Sequence, residues 1–158
     1  MATQTTKATY DDANLILRLY ELRREEKLRQ AREWFGMKFA ATTAEECMHA
    51  IPMGSQENAY FRMVISYWEM AASFVTSGVL NQELFLENNG ELMFVWERVR
   101  ELVPQMRAMF KNPEAWKNLE TVGNAAVERF KSKCGQEAYE NFRVMNRSMV
   151  QKASGTAG

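Results

Sequence analysis

The stretch from Tyr60 to Gly78, YFRMVISYWEMAASFVTSG, places apolar side chains at almost every angle of a helix. Before Ser77 and Gly78 its polar positions are Arg62, Ser66, Glu69, Ser73 and Thr76, spaced four, three, four and three apart. At about 100° per residue that line spans roughly 80° of the circumference, and the remaining arc of about 280° is Tyr, Phe, Trp, Met, Val, Ile and Ala. The apolar arc divides into two sides. Phe61, Val64, Ile65, Trp68, Ala72 and Val75 form one; Tyr60, Met63, Tyr67, Met70 and Phe74 form the other, with Ala71 between them. The pattern predicts a helix over about residues 57–77 with packed neighbours on two flanks, capped by Ser55 and stopped by Gly78, a residue suited to the left-handed position beyond a helix end.

The same period recurs on both sides of this stretch. Thr9 with Asp12 reads as a helix start, and Leu15, Leu19 and Leu22 continue one face to about Arg24, where Glu25 and Glu26 allow a break. Leu28, Ala31, Phe35 and Phe39, with Trp34 beside them, carry a second segment to about Ala40. Thr43 and Glu46 have capping-box spacing and predict a short helix over 44–51. Asn81 caps a brief turn, and the Asn88-Asn89-Gly90 run opens a helix whose core stripe is Leu92, Val95, Trp96, Val99, Leu102 and Val103. Pro104 kinks or restarts it. Asn112 and Pro113 repeat a start signal for a helix with Trp116, Leu119, Val122 and Phe130, and a last helix sets Ala138, Phe142, Met145 and Met149 in register. Residues 1–8 and 153–158 read as loose tails around a helical domain over 9–152.

Composition agrees with an all-α fold: three prolines and eight glycines, against eleven methionines and nine phenylalanines, leave little turn chemistry for strands. At 158 residues the chain is long enough to bury about two-thirds of its unfolded surface in one core. Lys plus Arg balances Asp plus Glu at 20 each, and the most basic stretch, LRREEKLRQAR, holds Glu25 and Glu26 in its middle. It reads as a salt-bridged solvated face, so nucleic acid and anionic membrane are not expected partners. Arg62 and Glu69 interrupt the longest apolar stretch, which argues against a membrane span. Two cysteines far apart, Cys47 and Cys134, and an N-terminus without an apolar leader give a cytoplasmic expectation with free thiols.

Candidate chemistry is sparse. Glu46 and His49 form one half of the Glu-x-x-His pair used by di-iron bundles, but the chain has no second histidine, and zinc sites need three or four converging ligands; no metal is expected. A nucleophilic triad would need His49 as base, and nothing in the sequence brings Cys47 or Cys134 beside it. Glycine-rich phosphate loops are missing, so no cofactor is expected. Glu69 is the one acid among large aromatics, where burial could suit it to proton transfer; a polar seam with Arg62 and Ser66 is the plainer reading. Trp34, Trp68, Trp96 and Trp116 fall on four apolar stripes, as core anchors do.

Trp68 with Glu69, the Gly78 to Asn81 run, Trp96, Arg107 and the Pro113 to Trp116 segment form a recognisable order. It resembles a bacterial all-helical family of unknown function, mainly over residues 67–122. In that family an aromatic-Glu helix is followed by Gly-hydrophobic-hydrophobic-Asp/Asn, a Trp-bearing helix, an Arg and a Pro-x-x-Trp segment. The resemblance implies a helical fold and supplies no activity.

The sequence thus predicts a bundle of five or six helices around the 57–77 helix. It is read as a helical interaction or scaffold protein, native or redesigned for assembly, that self-associates as a homodimer or binds another protein. A binding module for an apolar small molecule and a carboxylate enzyme using Glu69 are the alternatives.

Overall fold

A computed structural model describes residues 6–155, with side chains through Val150. The fold is all-α. Among the described residues the order is α1 Tyr10–Arg23, α2 Glu26–Lys38, α3 Ala44–Ala50, α4 Gln56–Thr76, α5 Gln82–Asn88, α6 Glu91–Val99, α7 Leu102–Phe110, α8 Lys117–Cys134 and α9 Gln136–Gly155. Nine helices among the described residues stand where five or six were expected, because several stripes are broken by turns. Residues 1–5 and 156–158 of the expected tails lie outside the described residues, and α9 continues through 153–155.

Local chemistry sets most of the ends. Thr9 and Asp12 form a complete capping box, and Thr43, Ser55 and Asn81 accept from the backbone N–H three residues on. Gly78 ends α4 with φ +81°. Pro104 is the third residue of α7, where its missing N–H costs no intrahelical bond, so the α6–α7 stripe restarts rather than kinks. The Asn112-Pro113 signal fails as a helix start. Asn112 caps a turn by accepting from Glu114 N, and α8 begins only at Lys117, after Trp116 takes a left-handed conformation at φ 57°.

α4 packs against α2 and α8, and Tyr67 adds a bond to α1 by donating to the Leu19 carbonyl at 2.6 Å. One side of its apolar arc, Phe61, Val64, Ile65, Trp68, Ala72 and Val75, is fully buried. The other side is covered less evenly: Tyr67 is buried, Tyr60, Met63 and Phe74 are half-buried and Met70 is exposed. α6 is the more completely enclosed helix, with Leu92, Met93 and every residue from Val95 to Val99 buried. It lies against α8 and α9, and the α8 crossing is close enough that a Cβ on Gly123 would collide with the Trp96 side chain.

Two expected faces are displaced. Leu22 is exposed, because α1 turns Leu19 inward and ends one residue later. On α9 the buried positions are Tyr139, Asn146 and Val150, not Ala138, Met145 and Met149. The basic N-terminal stretch is not bridged internally: Arg32 reaches Glu91 through Nε at 2.8 Å and Nη2 at 2.6 Å, and Arg23 reaches the same carboxylate at 3.5 Å. Glu25 is occupied as the cap of α2, accepting from Leu28 N. No helix among the described residues is long and apolar enough to cross a membrane.

Candidate functional site

Glu69 lies at the edge of an open groove of about 540 Å³ lined by Phe61, Met63, Ile65 and Trp116, with Arg62 and Ser66 on the rim. Both of its carboxylate oxygens accept from α8. Oε1 accepts from Asn118 N at 3.3 Å and Asn118 Nδ2 at 2.8 Å, and Oε2 accepts from Leu119 N at 2.8 Å. These amides belong to the first turn of α8, whose own N-cap, Trp116, supplies no side-chain bond. Glu69 therefore acts as a cap delivered from α4, where its charge also meets the positive end of the α8 dipole. The expected seam with Arg62 is absent, since Arg62 makes no hydrogen bond or ion pair among the described residues. A carboxylate holding three N–H donors is positioned to fix a helix.

Arg107 completes this corner. Its Nε donates to the Ala115 carbonyl at 2.9 Å, and Nη1 meets Glu120 at 2.6 Å, which pins the turn from Pro113 to Trp116 against α8. Trp116 then packs edge-on against Phe61, ring centroids 5.9 Å apart. The residues of the recognisable order, Glu69, Arg107 and Trp116, thus build one structural joint between α4, α7 and α8. Asn81, from the same order, donates its N–H to Asp12 at 2.7 Å and ties α5 to α1. That bond, with the Thr9 amide and hydroxyl, holds the Asp12 carboxyl below its ordinary range.

The remaining candidates stay apart. Glu46 folds back on Thr42, whose amide donates at 2.8 Å and lowers its pKa, and His49 is exposed on the same short helix. Cys47 is buried and its thiol is pushed up to about 11 by burial, whereas Cys134 is exposed. Among the described residues no three His, Cys, Asp or Glu side chains converge as metal ligands do. Trp68 and Trp96 are buried, and Trp34 and Trp116 half-buried, in the core.

The sequence reading missed a buried charged pair on α6. Arg98, 3% exposed, donates to the carbonyls of Phe35 at 3.1 Å and Phe39 at 2.5 Å, the last turn and C-cap of α2. It also donates through Nε to Asn146 Oδ1 at 2.9 Å and through Nη2 to the Asn146 carbonyl at 2.7 Å. Burial, and the charge of Arg147, push this guanidinium down to about 10, so it remains a cation at neutral pH. The negative end of the α2 dipole takes the place of a carboxylate partner. Glu97, 5% exposed, accepts from Tyr139 Oη at 2.5 Å and from Arg100 at 2.7 Å, with Arg143 at 3.5 Å. The local signal in ELMFVWERV shows only an apolar stripe beside Glu91, Glu97 and Arg98; that Glu97 and Arg98 are enclosed is decided by α2 and α9, which supply their partners from 42 to 63 residues away.

A family model described as a domain of unknown function, DUF4760, matches residues 8–125, from just before α1 to the middle of α8. No curated protein and no solved structure matches the chain. The matched span contains Glu69, Arg107, Trp116 and the whole of α6, and it exceeds half of the sequence. The chain belongs to the family of this domain of unknown function, DUF4760.

Proposed function

We propose that the protein is a helical interaction module that pairs with a second copy of itself through the outer face of α1. The observation that carries the reading is a second apolar stripe on that helix. Leu19 faces the core, while Tyr10, Leu17 and Tyr20 stand 81%, 59% and 49% exposed. Their spacing of seven and three sets them within about 80° of one another on one side. An exposed apolar stripe of this kind, beside the core-facing Leu15, Ile16 and Leu19, is characteristic of an association surface.

A two-fold antiparallel pairing centred on Leu17 is self-complementary. Positions seven residues on either side of the centre meet, so Arg24 comes over the ring of Tyr10 of the second copy, and Leu17 packs on its own equivalent. A 14-residue helix is about 21 Å long and offers less than the roughly 800 Å² per partner of a standard interface, so the expected association is weak. The excess apolar arc of α4 no longer argues for a partner, because α2, α8 and Leu19 cover most of it. The engagement of Glu69 by α8 likewise favours a structural role for it over the alternative of carboxylate catalysis.

Sedimentation equilibrium over a wide concentration range tests the reading. The expected result is a mass rising toward twice the 18.3 kDa of the chain, and a Leu17→Glu variant that stays monomeric with unchanged helicity. A monomer at every concentration, or a dimer indifferent to Leu17→Glu, would overturn it.

A further inference from the structure

Behind α6, away from both α4 and the outer face of α1, a second cavity of about 270 Å³ opens between α5 and α6 on one side and α8 and α9 on the other. Leu86, Met93, Phe130 and Phe142 give it an apolar wall, and the two rings are tilted at 46° with centroids 5.9 Å apart. A void of about 150 Å³ lined by such residues accommodates benzene, so this one takes a substituted ring. Tilted aromatic pairs of this kind also present edges and faces to a third ring.

The wall holds one buried polar group. Asn89 is 3% exposed, its amide nitrogen donates to the Phe85 carbonyl at 2.9 Å, and its side-chain oxygen accepts nothing among the described residues. The oxygen is not among the fully enclosed unpartnered atoms of the described residues, so it stays accessible as an acceptor for a ligand hydroxyl. At the mouth the charges cancel: Arg129 and Lys133 both turn to Glu83, at 2.8 Å and 3.5 Å, and Glu87 acts on Arg129 as well. The two cations are drawn to a carboxylate outside the lining, which favours a neutral ligand over an ionised one.

We infer that this cavity binds an uncharged alkylphenol, its ring against Phe130 and Phe142 and its hydroxyl donating to Asn89 Oδ1. Calorimetric titration of the full chain with 4-n-butylphenol and with n-butylbenzene separates the two parts of the claim. The phenol should bind about tenfold more tightly than the hydrocarbon, and Ala126→Phe, which fills the cavity, should abolish both. Cys134 lines the cavity and is exposed while Cys47 is buried, so maleimide labelling of Cys134 is a second readout. The phenol should slow it in the unsubstituted protein, which keeps the test decisive should Ala126→Phe fail to fold. Equal affinity for the two probes, binding that survives Ala126→Phe in a folded protein, or labelling unchanged at high phenol would each overturn the inference.

Discussion

α4 and α6 are both apolar over most of their circumference, yet they deal with their polar side chains in opposite ways. On α4 the polar residues gather on one line. Arg62 reaches water, Ser66 and Ser73 turn back to the Met63 and Met70 carbonyls, and Glu69 and Thr76 reach α8, Glu69 as its cap and Thr76 by donating to Asn118 Oδ1 at 2.5 Å. On α6 the charged residues Glu97 and Arg98 are adjacent, so they project about 100° apart into different neighbours, and both are buried. An arginine at the edge of a two-flank packing is a solvated side chain. An arginine inside an enclosed helix becomes a fastener, because every N–H it carries must find an acceptor.

The largest effect expected from this contrast comes from the same change made in each helix. Arg98→Met leaves the carbonyls of α2 and the side chain of Asn146 without donors and should cost about 3–5 kcal/mol of unfolding free energy, read by urea titration. Arg62→Met should stay within about 0.5 kcal/mol. Similar losses at the two sites would dissolve the distinction. Gly123→Ala comes next, at about 3 kcal/mol, since its Cβ collides with the buried Trp96 of α6 and neither helix backbone can yield freely. Glu69→Ala removes the cap and charge from the start of α8 and should lower stability by about 1–2 kcal/mol.

A smaller, graded effect appears in alkali. Burial pushes both Tyr67, on α4, and Tyr139, which donates to Glu97 of α6, up to about 12, with Glu97 adding to the rise at Tyr139. Folding keeps these phenols neutral, so their contribution is whole below pH 10 and is lost as pH rises from 10 toward 12. The buried Cys47 thiol loses its contribution as pH rises from 9 toward 11, so urea midpoints should be flat from neutral pH to about 8 and fall above 9, with the two tyrosines steepening the fall above 10. Tyr67→Phe and Tyr139→Phe should each reduce that slope, and a slope untouched by both would assign it elsewhere.

Much of the fold is written in local signals. The caps at Thr9, Thr43, Ser55 and Asn81, the left-handed Gly78, and the stripe from Leu92 to Val103 need only neighbouring residues, and each is legible at its own spacing. The errors arise where a distant group decides. Trp116 and Arg107 delay α8 to Lys117 against a good local start at Pro113, because Arg107 binds the Ala115 carbonyl. On α9 the apolar register of Ala138, Met145 and Met149 loses to Tyr139 and Asn146, which answer the buried Glu97 and Arg98. Glu69 was legible as an acid among aromatics, but its partners, the α8 amides, lie 49 and 50 residues away. No spacing rule reaches that far.

The charged pair of α6 fastens α9 to the rest of the molecule. Asn146 is the joint: it accepts from Arg98 and donates through Nδ2 to the Phe94 carbonyl at 3.1 Å. Native-state amide hydrogen exchange on Asn146→Ala tests it most directly. The account predicts that α9 loses protection while α4 keeps it. Unchanged protection in α9, or an equal loss across α4 and α9, would contradict it.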